Sequence, residues 1–227
     1  ALAAVIILAI IVLMVVLVII LNDGTRKIPV QYAQKVQGRR LVGGQSSSIP
    51  LKVNTAGVIP IIFAQSLLQF PLIISSFVKY NTAGVWAEVL KYLNSGNWCS
   101  LQQPKYTIGM LVYIVLVIFF AYFYTSITFN PLMVADNMKK QGGFIPGIRP
   151  GKPTSDYLTK VLNYVIFIGA VGLTIIGILP YIFNGIFKAS VSFGGTSLII
   201  IVSVILETMK QIESQMLVRN YKGFLND

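Results

Sequence analysis

The sequence predicts an all-α membrane protein: five transmembrane helices, with a β-hairpin-like loop standing off one side. Three observations carry this. The chain of 227 residues is 55% hydrophobic and only 11% charged, whereas a soluble domain carries about 25% charged residues to cover its surface. Its mean hydropathy is +0.75. Five runs are long enough to span, at 1–21, 53–78, 106–129, 161–183 and 189–217, since a helix needs about 20 apolar residues to cross the hydrocarbon.

The first run starts at Ala1 and holds 21 apolar residues without a charge. With no initiator Met, basic n-region or small-residue cleavage site, it reads as a transmembrane helix, in a chain that looks like a piece of something longer. The second run contains Pro60 and Pro71, and the fourth ends near Pro180. Such helices bend, and neighbouring helices must satisfy the freed carbonyls. In the second run Asn54, Gln65 and Gln69 fall within about 60° on a helical wheel. They serve either interhelical hydrogen bonding or a wettable face along a path. In the last run Glu207, Lys210, Gln211, Ser214 and Gln215 make one polar face, and Ile205, Met209, Ile212 and Met216 the other. That helix should leave the lipid near Leu206 and continue as an amphipathic extension.

Net charge is +11, concentrated in the connections. Segments 22–52 and 130–160 and the tail hold thirteen Lys and Arg; the opposite side holds four, Lys79, Lys91, Lys105 and Lys188. By the positive-inside rule the amino terminus is outside and the carboxyl terminus cytoplasmic. The outer loops are then 79–105 and 184–194, and the cytoplasmic tail 218–227.

In segment 22–52, Ile28, Val30 and Tyr32 alternate with polar or turn residues, as do Ile49, Leu51 and Val53. Two period-2 runs around a polar centre predict a hairpin with Gly38, Arg39 and Arg40 near its tip. Strands of about eight residues would project it by roughly 25 Å. On the outer side "AGVWAEVLKYLNSGNW" predicts a short amphipathic helix in the membrane interface, anchored by Trp86 and Trp98. In segment 130–160, "PGIRPG" holds Arg149 between Pro146-Gly147 and Pro150-Gly151. Proline stiffens such a loop and glycine allows close backbone approach. A rigidly presented guanidinium suits a carboxylate or phosphate.

The chain has no His and a single Cys, Cys99, read as an incidental loop residue. That removes His-dependent acid–base chemistry, His-metal sites, Ser-His triads and internal disulfides. The interiors of the first four runs carry no ionisable residue, although ion-coupled transporters and intramembrane enzymes keep such residues for function. The expectation is no catalytic residue, no metal and no cofactor.

The stretches "QGRRLVGGQSSSIPLKVNTAGVIPIIFAQSLLQFP", "FNPLMVADNMKKQGGFIPGIRPGKPTSDYL", "SFGGTSLIIIVSVILETMKQIESQ" and "RNYKGFL" closely resemble the bacterial SecY family, the main subunit of the protein-conducting channel. The resemblance covers essentially the whole chain. It implies a ten-helix channel of two inverted five-helix halves, of which this chain looks like helices six to ten. It further implies export of unfolded preproteins, and lateral insertion of membrane proteins, at the bacterial cytoplasmic membrane. The implied partners are the amino-terminal half of SecY, SecE, SecG, the motor ATPase SecA, the ribosome with its RNA, signal sequences and nascent chains. On this resemblance Arg39, Arg40 and Arg149 dock the ribosome or SecA. Ile62 and Ile200 match the pore ring, where an apolar constriction resists wetting. The second and third helices match one wall of the lateral gate. The rival readings are a fragment of an inverted-repeat secondary transporter, which needs a midplane ligand site, and an intramembrane enzyme.

Overall fold

The computed structural model describes residues 2–32, 35–37, 40–42, 46–77, 84–99, 104–187 and 195–223. The order is α1 (Leu2–Asp23), β1 (Thr25–Tyr32), β2 (Lys35–Gln37), β3 (Arg40–Val42), β4 (Ser46–Lys52), α2 (Ile59–Phe77), α3 (Val85–Leu93), α4 (Thr107–Thr128), α5 (Pro131–Lys140), β5 (Gly143–Phe144), α6 (Lys152–Phe187) and α7 (Gly195–Gly223). Among the described residues three stretches are long and apolar enough to cross a membrane: Ile59–Phe77, Pro104–Lys140 and Lys152–Phe183. A shorter apolar helix covers Leu8–Asp23. The chain forms two compact units. One comprises Ala1–Asn22, Gln65–Leu111 and Ile175–Asp227, the other Asp23–Ala64 and Val112–Thr174.

In the second unit the alternating run folds as expected. β1 pairs antiparallel with β4, with Ile28 opposite Ile49, and β5 joins the free side of β1 at Gln31 and Tyr32. Pro29 and Pro50 are tolerated because each lies where its strand is paired on one side only. Period 2 sends Ile28 and Val30, 2% and 1% exposed, to one face with Leu51. They meet Met138 of α5, Ile145, and Leu158, Val161 and Val165 of α6 in one core. Each such aliphatic side chain stabilises by roughly 1.5–3 kcal/mol on burial. The base of the hairpin therefore rests on the second basic segment rather than standing clear of it.

That second segment is more ordered than a loop. The Asn130 side chain accepts the backbone N–H groups of Leu132 and Met133, and Pro131 follows as the first helical residue. This cap starts α5. α6 begins at Lys152, nine residues before the apolar run does. Its 36 residues at about 1.5 Å each make about 54 Å, well beyond a hydrocarbon core of about 30 Å.

Gly169 of α6 faces the Val53 carbonyl oxygen so closely that a Cβ would collide with it. Val53 N–H donates to the Gly24 carbonyl at 2.8 Å, so α6 is clamped to the hairpin's base. Along α4, Ala121 packs with Leu162, Ile166 and Ala170 of α6. Phe63 of α2 stacks on Phe120 at 5.6 Å. The buried hydroxyls of Thr125 and Thr174 donate to carbonyls one turn back, Ala121 and Ala170, so these two hydroxyls demand no water. Val115, Phe119, Phe123 and Ile127 form an exposed apolar stripe down α4, suited to lipid or another apolar surface.

In the first unit Asn22 Nδ2 of α1 donates to Ser203 Oγ of α7 at 2.9 Å. Gln65 Nε2 of α2 donates to Tyr181 Oη of α6 at 3.2 Å. α7 continues as one helix to Gly223, and over 207–216 its polar and apolar faces are both exposed.

Candidate functional site

The segment 142–151 is built as a rigid mount for one guanidinium. Gly142, at φ +74°, turns the chain out of α5, and its N–H donates to the Lys139 carbonyl at 3.1 Å. Gly143 follows in β5, where a Cβ would stand 2.9 Å from the Tyr32 ring. Ile145 is buried in the core beneath the sheet. The Ile148 N–H returns to the Ile145 carbonyl at 3.0 Å, closing a tight turn over Pro146 and Gly147. Gly147 sits at φ +83°, the left-handed position that such a turn reserves for glycine. Ile148 is half-buried against the same core.

Arg149 is then exposed, with a fixed backbone on either side. Its carbonyl accepts the Thr154 hydroxyl at 2.8 Å. Pro150 follows, and Gly151 at φ +104° accepts the Thr154 and Ser155 N–H groups to begin α6. Among the described residues no carboxylate engages Arg149 as an ion pair. Beside the mount a cleft of about 420 Å³ is lined by Pro131, Leu132, Asp136, Lys152, Ser155 and Asp156, among others.

The hairpin's distal part is a second antiparallel pair, with Gln37 opposite Arg40. Arg40 opens β3, while Gly38 and Arg39 lie outside the described residues. Both basic segments belong to one compact unit and share one core. Between them, 22–52 and 130–160 carry eleven Lys and Arg against three Asp.

Ile62 is 39% exposed on α2, between the buried Ile61 and Ala64; Ile200 is half-exposed on α7. They belong to different units.

Two expectations need correction. Asn54 is not on the second helix, because Gly57 at φ +62° holds the preceding turn and α2 starts at Ile59. Asn54 therefore shares no helical face with Gln65 and Gln69, and Gln65 makes the interhelical bond described above. Trp98 is not an interface anchor: it is 3% exposed, its Nε1–H donates to the Tyr92 carbonyl at 2.9 Å, and its ring meets Tyr181 edge-on at 5.1 Å. Gly109 permits this packing, since a Cβ there would strike the Tyr92 carbonyl and the indole. Cys99 follows at φ +56°, its thiol 3.6 Å from the Met110 sulfur. Burial pushes that thiol up from its ordinary value, which disfavours the thiolate.

Comparison with known proteins adds a family. The SecY family profile matches residues 1–209. Protein translocase subunit SecY of Mycobacterium leprae is 48% identical over 212 residues, covering 90% of this chain and 47% of that protein. The subunit of the same name from Corynebacterium glutamicum is 45% identical over 231 residues, covering 97% and 50%. The chain thus spans about half the length of the curated relatives it matches. Among solved structures, one titled as a protein conducting channel aligns with a TM-score of 0.58 at 19% identity, over 90% of this chain and 48% of that one. A SecY structure concerned with the plug domain aligns with a TM-score of 0.60, also at 19% identity, over 91% and 48%. At that identity the likeness is one of fold.

Proposed function

Since this chain belongs to the SecY family, we propose that it forms half of a protein-conducting channel in the bacterial cytoplasmic membrane. The other half is the remainder of SecY, with SecE and SecG as companion subunits. The channel exports unfolded preproteins and releases transmembrane segments sideways into lipid. The chain performs no catalysis; SecA hydrolysing ATP, or a translating ribosome, supplies the energy. Its amino terminus faces outside, and the hairpin, the 142–151 mount and the carboxyl tail face the cytoplasm, in keeping with the Lys and Arg asymmetry.

One observation carries this reading beyond family membership. The hairpin and the Arg149 mount are not separate loops: β1 pairs with both β4 and β5, over a single core. A partner that grips Arg149 therefore pulls on the same core that holds the base of the hairpin, β1 and β4, and α6 runs from that core into the apolar span. Scattered topology signals need no such construction. The direct test reconstitutes the intact protein in vesicles and compares protease-protected precursor with uptake of small solutes. Precursor import that needs SecA and ATP supports the channel, and solute uptake without it supports a transporter.

The hairpin arginines yield a second expectation. If Arg39 and Arg40 meet ribosomal RNA phosphates, affinity falls as salt rises because neutralised phosphates release counterions. Changing both to Glu should weaken ribosome binding and flatten the log–log salt dependence by about one unit for each phosphate no longer neutralised. Co-sedimentation across a salt series checks this, and affinities equal to the parent's throughout would rule out the phosphate pairing.

A further inference from the structure

α3 divides into three sectors when its side chains are read against their exposure. At about 100° per residue, Val85, Val89, Leu93 and Trp86 fill one sector of about 100°. Ala87 and Leu90 fill the next, and Glu88 and Lys91 lie beyond them. The structure gives each sector a different surrounding. Ala87 and Leu90 are buried against the protein, whereas Glu88 and Lys91 are exposed. Val85 and Trp86 are exposed too, at 84% and 50%, with Val89 beside them. A helix on a water-soluble surface needs two sectors, one buried and one polar. The exposed apolar sector is a third, centred about 140° from the charged one, with the half-buried Tyr92 between Glu88 and Val85.

The chain's path says what covers it. α3 begins eight positions after α2 ends and ends fourteen before α4 begins, so two spans hold it at one membrane surface. It is also held firmly. The Tyr92 carbonyl near its end accepts Trp98 Nε1–H, Tyr92 meets Tyr106 edge-on at 5.1 Å, and Gly109 lets α4 approach. We propose that α3 lies in the lipid interface, with Val85, Trp86 and Val89 at the boundary between headgroups and acyl chains. Glu88 and Lys91 face water, and Ala87 and Leu90 face the protein. An exposed indole suits that depth, where its ring is in hydrocarbon and its N–H reaches headgroups. The helix thus works as a fixed float that sets how deep the α2–α4 connection sits. This rests on the membrane-channel reading but not on which side of the membrane is cytoplasmic.

The test places nitroxide labels at single cysteines in the intact channel, with Cys99→Ser as background, in phosphatidylethanolamine–phosphatidylglycerol vesicles. Val85→Cys, Trp86→Cys and Val89→Cys are compared with Glu88→Cys and Lys91→Cys for collision with oxygen, which concentrates in lipid, and with a water-soluble nickel chelate. Val115→Cys, in the exposed stripe of α4, is the mid-span control. The expected oxygen-to-nickel ratio is several-fold higher at 85, 86 and 89 than at 88 and 91, and highest at 115. Equal, nickel-dominated ratios at all five α3 positions overturn the proposal in favour of a helix in water. Labels at 85, 86 and 89 shielded from both reagents overturn it in favour of a protein partner. A water-like ratio at 115 as well would instead sink the membrane reading beneath it.

Discussion

Arg149→Glu in the intact channel should insert and assemble at parental abundance yet lose most ATP-driven precursor translocation, by about tenfold to a hundredfold. Normal assembly is expected because the guanidinium is exposed and takes no part in the core; Ile145, Ile148 and the Thr154 hydroxyl bond hold the loop without it. Loss of function is expected because the loop is fixed on both sides of Arg149. A partner carboxylate or carbonyl then meets a pre-placed donor, and a charge-assisted hydrogen bond of that kind is worth roughly 1.5–3 kcal/mol. Arg149→Lys should be partly defective, since a point charge does not reproduce the planar fork. Protease-protected precursor in vesicles with SecA and ATP, normalised to channel abundance, is the measurement. A Glu variant that translocates like the parent would reduce Arg149 to a topology signal.

Gly169→Ala should be strongly destabilising, although alanine is the better helix former. A methyl group at 169 runs into the Val53 carbonyl, a backbone atom of a residue whose own N–H is tied to the Gly24 carbonyl at 2.8 Å. Either α6 backs away from the hairpin or the Gly24–Val53 closure opens. Overpacking of this sort costs typically 1–3 kcal/mol. Val165, one turn earlier on α6, belongs to the core under β1, so the loss should spread into the sheet. The expected result is a lower thermal midpoint for the detergent-solubilised channel and faster tryptic cleavage within 22–52. A melting curve and cleavage rate matching the parent would show that α6 and the hairpin are not clamped at this point.

The particular residues show what was legible beforehand. Ile28, Val30 and Leu51 announced their buried face because strand periodicity is a local property of the chain. Gly147 and Gly151 were recognisable for the same reason, as turn chemistry is written in single residues. β5 was not, since two residues carry no period and become a strand only by meeting Gln31 and Tyr32. α5 was hidden by the glycine and proline around it, although Asn130-Pro131 was a readable helix start. The apolar run at 53–78 outlasted its helix because hydropathy records burial and not where a helix begins. Residue type alone points Trp98 to the interface, and only its tertiary partners Tyr92 and Tyr181 place it inside. The roles of Arg39, Ile62 and Ile200 came from family resemblance alone.

Whether this chain lines a path for a polypeptide is decided most directly with a stalled precursor. A photoreactive side chain would be installed singly at Ile62, Ile200, Val115 and Phe167 of the intact channel, and a precursor arrested midway by a folded carboxyl-terminal domain. Val115 and Phe167 are exposed apolar positions on α4 and α6. A polypeptide path predicts precursor adducts from 62 and 200 that need SecA and ATP, with few from 115 and 167. Adducts at 115 and 167 but none at 62 and 200 would contradict it.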